Sequence, residues 1–147
     1  MAKAINLIDP KPVFCSYEIS NKPGIRERAA TSVFNARLMP VMEEFLHGMQ
    51  EALLALGLAG NVLIIRGDAT PMSIADTHKK AASTVASGPA ATAWYGMHYS
   101  PAADALIVDI GGTTTDIAGL RDGRPTLNPE GAQVGRWRTM VEAVDVH

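Results

Sequence analysis

Two carboxylates, two glycines and three adjacent hydroxyls lie close together in this chain, in the order Asp109-Ile110-Gly111-Gly112-Thr113-Thr114-Thr115-Asp116. Glycines at 111 and 112 permit a tight turn and let backbone N–H groups approach a ligand without interference from a Cβ. Such N–H groups, with the hydroxyls of Thr113, Thr114 and Thr115, suit phosphate oxygens. Asp109 and Asp116 would repel a bare phosphate, so their presence implies a divalent cation between them that retains some of its waters. The chemistry this spacing suggests is Mg²⁺-nucleotide binding.

Elements on either side must hold these groups in place. Leu106, Ile107 and Val108 read as a short buried strand that delivers Asp109 to a sheet edge, and Ile117–Leu120 as the strand that follows. Asp122-Gly123 is a strong hairpin signal, so a third antiparallel strand is expected around Pro125–Leu127. Taken singly, these residues carry little: a Gly-Gly turn is commonly only a turn, Asp109 can initiate one, and threonines are ordinary strand formers. The whole pattern, Asp-x-Gly-Gly-Thr-x-x-Asp between two apolar strands, is much harder to reach by chance. It is neither the dinucleotide pattern Gly-x-Gly-x-x-Gly nor a P-loop ending in Gly-Lys-Ser/Thr.

Length and composition set the frame. A chain of 147 residues is expected to form one domain, 1–147, with a real core. Apolar content of 47% and charged content of 19% are those of an ordinary soluble globular protein. A net charge of −2 without any basic run gives no reason to expect nucleic acid. No apolar stretch approaches the roughly 20 residues that span a bilayer, and no apolar leader follows Met1, so neither a membrane partner nor a signal peptide is expected. The single Cys15 cannot form an internal disulfide, which fits a reducing cytoplasm.

In chain order, residues 1–24 read as a lead-in segment with one edge strand, Val13–Ile19, between the breakers Pro10, Pro12, Pro23 and Gly24. Cys15 there reads as a small buried hydrophobe, with no His or Lys spaced to activate it. From about Arg28 to Leu56 runs the longest periodic segment, its apolar face built from Phe34, Leu38, Val41, Phe45, Met49, Ala52 and Leu56. Gly57 is a good residue to end that helix, whereas Pro40 should kink it near Ala36 or split it. His47 reads as a solvated helix residue. Asn61–Ile65 reads as a strand buried on both faces. The loop Arg66–Pro71 after it is either a ligand loop at a strand end or a solvated turn. Ser73 or Asp76 caps one or two helical turns within Ser73–Thr84. Ser87-Gly88-Pro89-Ala90 then introduces a helix with Pro89 at its first position, anchored by Trp94, Tyr95, Met97 and Tyr99 and ended by Pro101.

The hairpin at 109–116 resembles the phosphate-binding hairpin of the actin-like ATPase superfamily. The order of elements narrows the resemblance to the hydantoinase A/5-oxoprolinase family. It is carried by Arg28–Ala36 before a long helix, Ser87-Gly88-Pro89-Ala90, Asp109–Asp116, Asn128-Pro129-Glu130-Gly131 and the tail from Val134 to His147. That resemblance implies an α/β fold, one ribonuclease-H-like half-domain of an actin-like ATPase, with a mixed sheet of about five strands and packed helices. It also implies that this chain is a central portion of a longer enzyme, with one of two phosphate hairpins, which hydrolyses a small cyclic amide using ATP and Mg²⁺.

Residue by residue, the resemblance implies that Gly111, Gly112, Thr113 and Thr114, with Thr115 beside them, contact phosphate oxygens. Asp109 and Asp116 would serve as the metal-holding and catalytic carboxylates. The implied partners are the remaining domains of the parent enzyme, and inner faces made for those domains should favour self-association into a homo-oligomer. Two rival readings follow from the same residues: a non-catalytic, partner-binding module, or a component of a related ATP-dependent carboxylase or kinase.

Overall fold

Helix-forming periodicity marks the segment from about Arg28 to Leu56, and a long helix is what forms there. The structure, a computed structural model, describes residues 2–10, 13–58 and 60–147. Helices α1 (Ala2–Ile8) and α2 (Ile25–Ala55) are followed by strands β1 (Leu63–Ile65) and β2 (Pro71–Ser73), then α3 (Ile74–Lys79) and α4 (Ser87–Tyr99). Strands β3 (Ala105–Ile110), β4 (Thr115–Arg121), β5 (Arg124–Pro125), β6 (Gln133–Val134) and β7 (Trp137–Arg138) complete the order, with 3₁₀ turns at Ser16–Glu18 and Ala81–Thr84.

The lead-in differs from expectation. Val13–Ile19 forms a 3₁₀ turn instead of a strand, because Cys15 N–H donates to the Glu18 carboxylate and Glu18 N–H donates to the Cys15 carbonyl. These local bonds occupy backbone groups that a strand would need. Pro12, one of the expected breakers, lies outside the described residues. Cys15 is half-buried and free, beside an exposed Tyr17. A hydrogen bond to Cys15, then the negative charges of Cys15 and Glu18, raise the Tyr17 hydroxyl above its ordinary pKa.

Helix α2 runs unbroken through Pro40. Ala36, whose carbonyl loses its partner there, and Pro40 are both exposed, so water can satisfy the orphaned group. The helix ends one residue before the expected stop, with Gly57 in the left-handed conformation just beyond the cap. Its buried face also differs from the expected one. Thr31, Asn35 and Leu46 are buried, whereas Val41, Phe45 and Leu56 are exposed. The period is as expected; the face is rotated by about one residue. Asn35 explains the rotation: its amide donates to the Lys79 carbonyl at 2.9 Å and accepts from Ala82 N–H at 2.9 Å. Thr31 accepts from Met140 N–H at 2.8 Å, so two polar residues fasten α2 to the rest of the fold.

In place of a five-stranded mixed sheet, the described residues form three small antiparallel sheets, β1–β2, β3–β4–β5 and β6–β7. Apart from β3 and β4 each strand has only two or three residues, and every ladder joins neighbours in sequence. Single bridges from Ala118 to Val146 and from Leu127 to Val144 bring the last residues onto the central sheet. The expectation of a β1 buried on both faces fails: it pairs on one side only, and Leu63 is exposed.

The core is built largely from small residues. One cluster joins Ala69, Ala90, Ala93, Ala118 and Val144; another joins Ala82, Ala132, Val141 and Ala143. Helix α4 therefore approaches the sheet through Ala90, Ala93 and Gly96, and of the expected aromatic anchors only Trp94 joins them. Tyr95 and Tyr99 are exposed and stack on each other at 4.4 Å, while Trp94 packs against the first cluster. The helix starts at Ser87 after a left-handed Ala86, which puts Pro89 at its third position, not its first. Ser73 caps α3 as expected, accepting from Asp76 N–H at 3.1 Å.

Candidate functional site

The hairpin forms where the alternation of apolar residues and the glycine pair place it. Strands β3 and β4 pair antiparallel from Ala105–Leu120 to Ile110–Thr115, and Gly111 N–H donates to the Thr114 carbonyl at 2.9 Å to close the turn. In that register Asp109 faces Asp116 directly. Asp122 and Gly123 both adopt positive φ in the next turn, which returns the chain as β5 beside β4. Strand β5 covers Arg124–Pro125, and Leu127 bridges to Val144 beyond it.

Side chains alternate across a strand, so Asp109, Ile107 and Ala105 share one face with Asp116, Ala118 and Leu120. Ala118 and Leu120 are buried, and Ile107 packs into the space that a Cβ on Gly96 of α4 would need. The two carboxylates therefore continue the face on which α4 packs. Thr92, on the second turn of α4, donates its hydroxyl to Asp109 Oδ2 at 2.8 Å. The opposite face of β3 departs from the buried strand expected: Leu106, Val108 and Ile110 are 75%, 51% and 78% exposed. Strand β3 is the edge of its sheet and nothing among the described residues covers that face.

Gly111, Gly112, Thr113, Thr114 and Thr115 are all exposed, Asp109 is exposed and Asp116 is half-buried. Neither Gly111 nor Gly112 has a left-handed φ, and a Cβ built on Gly112 meets nothing within 4 Å. The turn itself thus does not require glycine at 112. The space a Cβ would fill there is open, and the absence of a Cβ lets a ligand approach the backbone closely. No group of three or more His, Cys, Asp or Glu able to hold a metal occurs among the described residues. Two facing carboxylates nonetheless fit Mg²⁺, which is commonly bound through one or two carboxylates plus phosphates and waters. Like charges opposite each other destabilise a ladder unless something lies between them.

The other sequence candidates separate clearly. Arg66–Thr70 is the turn joining β1 to β2: Arg66 N–H donates to the Thr70 carbonyl, and Asp68 accepts from both the N–H and the hydroxyl of Thr70. Arg66 and Asp68 pair at 3.1 Å. The side chains of Asp68 and Thr70 serve the turn itself, Gly67 bonds through its backbone to Ser83 and Val144, and a buried Arg66 Nε has no partner among the described residues. His47 is exposed and lies 3.3 Å from Glu51 on the same helix. At the start of α4, Ala86 offers no side chain to cap the first turn. Thr92 was not among the residues singled out by sequence. The signal available was the small-residue stretch Ser87–Ala93, which places a hydroxyl on the helix that must pack closely.

Comparison with known proteins places this arrangement in a wider setting. The family model described as hydantoinase/oxoprolinase matches residues 28–147. An uncharacterized protein of Methanocaldococcus jannaschii is 27% identical over 128 residues, which is 85% of this chain and 19% of that protein. Among solved structures, a nucleotide-free acetone carboxylase, described under the mechanism of ATP-dependent acetone carboxylation, superposes with a TM-score of 0.65 at 18% identity. The superposition covers 99% of this chain and 21% of that one. This chain spans about a fifth of the length of both proteins.

Proposed function

The chain belongs to the hydantoinase/oxoprolinase family, and from that premise we propose that it supplies the phosphate-binding hairpin of a longer, cytoplasmic ATP-dependent enzyme. The observation that carries the reading is the Asp109–Asp116 pair across a turn whose Gly112 has open space above it. Asp109 and Asp116 would hold Mg²⁺, and the turn's N–H groups with Thr113, Thr114 and Thr115 would hold phosphate oxygens. When bound, Mg-ATP supplies an activated phosphoryl group for a carbonyl oxygen. Thr92 keeps the Asp109 carboxylate fixed toward α4, so that its charge is already oriented before ligand arrives.

In fold terms the reading is a single domain forming one ribonuclease-H-like half of an actin-like ATPase, whose exposed β3 face meets the rest of the enzyme. The substrate fitting the family name is a small cyclic amide whose carbonyl is activated for attack by water. A second reading, an ATP-dependent carboxylase component, is favoured by the likeness to acetone carboxylase over 99% of the chain. Both uses spend ATP on activating an oxygen and need the same hairpin. Isothermal titration of the chain with ATP, with and without Mg²⁺, tests the shared core. Mg²⁺-dependent binding lost in Asp116→Asn is expected, and equal binding with and without the metal would overturn it.

A further inference from the structure

Away from α4 and its hairpin, a cavity of about 520 Å³ opens between α2 and the β6–β7 hairpin. Its walls are apolar, with Phe34 from α2 and Val134 and Trp137 from the hairpin. Arg26 and Arg37 also line it. They stand eleven residues apart on α2, about three helical turns or roughly 16 Å, and so lie on one face at either end of the opening. Arg136 does not line the cavity, but its guanidinium is centred 5.3 Å from the ring of Trp137, which does.

These three arginines differ from their neighbour. Arg138 pairs with Glu130. Arg26, Arg37 and Arg136 have no ion-pair partner among the described residues. Two unneutralised guanidinium groups lining one cavity, with that of Arg136 by the Trp137 ring, make a local positive field in a chain of net charge −2. Trp137 is 59% exposed, which leaves an aromatic face for a ligand to cover. The volume falls within the range of small-molecule sites, and few polar groups around an apolar wall is their usual make-up.

We propose that this cavity binds a small aromatic carboxylate or similar apolar anion, its ring against Phe34 and Trp137 and its charge on Arg26 or Arg37. A planar fork of N–H donors matches a carboxylate in two bonds, which an ammonium does not, and arginine is the residue at both lining positions. The site is built on α2 and β6–β7 and stands independently of the nucleotide reading.

The test uses two fluorescent probes of similar shape, anionic 1-anilinonaphthalene-8-sulfonate and uncharged N-phenyl-1-naphthylamine, titrated into the chain. Saturable single-site binding is expected, with the anion held about tenfold or more tighter, the scale of one charged hydrogen bond. The double variant Arg26→Gln/Arg37→Gln should lose that advantage while binding the neutral probe as before. Trp137→Ala should weaken both probes, and the remote exposed Arg121→Gln should change neither. Phenylacetate at millimolar concentration should displace the anionic probe. Equal affinity for the two probes, an unchanged double variant, or failure of phenylacetate to compete would each overturn the assignment. Far-UV circular dichroism of each variant checks that helix content is preserved.

Discussion

Asp109 and Asp116 occupy paired positions of the β3–β4 ladder, carboxylate opposite carboxylate on the face where α4 packs. Such a pair is unfavourable for the bare fold and favourable for a cation, so the two roles predict opposite signs. Replacing Asp116 by Asn should raise the melting temperature slightly in EDTA, by about 0.5 kcal/mol of relieved repulsion. Mg²⁺ with ATP should stabilise the native chain but not the variant, since a ligand that binds only the folded state raises stability with the logarithm of its concentration relative to Kd. Thermal unfolding followed by circular dichroism reads both. A lower melting temperature in EDTA, or an unchanged response to Mg-ATP, would count against the cation role.

Thr92 acts on the hairpin only through Asp109, to which it donates at 2.8 Å. Thr92→Val keeps shape but removes the donor, and it should cost about 1 kcal/mol of stability or less. The Mg²⁺ dependence of nucleotide binding should shift to higher metal concentration, while Thr92→Ser restores it. A serine variant as impaired as the valine one would point to packing of the methyl group instead of positioning of the carboxylate.

Asn35 is fully buried, and its amide satisfies two backbone groups at once, the Lys79 carbonyl and Ala82 N–H. Asn35→Ala leaves both unsatisfied and should destabilise the fold by about 2–4 kcal/mol, from two lost bonds and their desolvated partners. Asn35→Asp should also be costly, because a carboxylate would face the Lys79 carbonyl. Urea denaturation measures both, and a loss below about 1 kcal/mol for Asn35→Ala would mean that water takes over those bonds.

How far this was readable from sequence depends on the range of the interactions. The hairpin and the Asp122-Gly123 return are set by residues next to each other in the chain, so their existence was legible, whereas the exposure of Leu106 and Val108 was not. The turn type at 66–70 could not be decided in advance because a free loop and a self-satisfied turn share one composition. On α2, the apolar residues Val41 and Phe45 pointed to one face, and the buried polar pair Thr31 and Asn35 turned the helix to another. Their partners lie 109 and 44–47 residues away, a distance at which local periodicity carries nothing. Aromatic size was only a partial guide on α4: Trp94 packs on the core but Tyr95 and Tyr99 do not, and alanines and glycine make the close contact because only small residues let the helix come near. Thr92 belongs to the same class, joined to Asp109 across 17 residues.

Gly67 is buried where three segments meet: its N–H donates to the Ser83 carbonyl and its carbonyl accepts from Val144 N–H. A Cβ there would lie 2.1 Å from the Val85 carbonyl oxygen and 3.1 Å from that of Glu142. Both are backbone atoms in hydrogen-bonded segments, so neither can swing aside as a side chain would. Gly67→Ala should therefore destabilise by about 2 kcal/mol or more, at the upper part of the range for overpacking. Denaturant midpoints check it; a variant as stable as the native chain would mean that the three segments are not held together as described.

The isolated chain should bind Mg-ATP weakly and should not turn it over. The motive is the exposure of the hairpin: Gly111 through Thr115 all face solvent, and among the described residues Thr92 is the side chain from another element that bonds to it. Charged hydrogen bonds made in open water contribute far less than those inside a closed cleft, because water competes for both partners and screens the charge. In the proposed half-domain arrangement, phosphate groups would also be held from a second half. Without three such contacts of about 1.5 kcal/mol each, a micromolar site moves toward millimolar. Calorimetric titration with Mg-ATP and a phosphate-release assay on the same preparation measure the two parts separately. Millimolar affinity with no phosphate release is the expected pair of results. Micromolar affinity with steady release would mean that the single hairpin is sufficient by itself, and that the two-half arrangement is not needed for the chemistry.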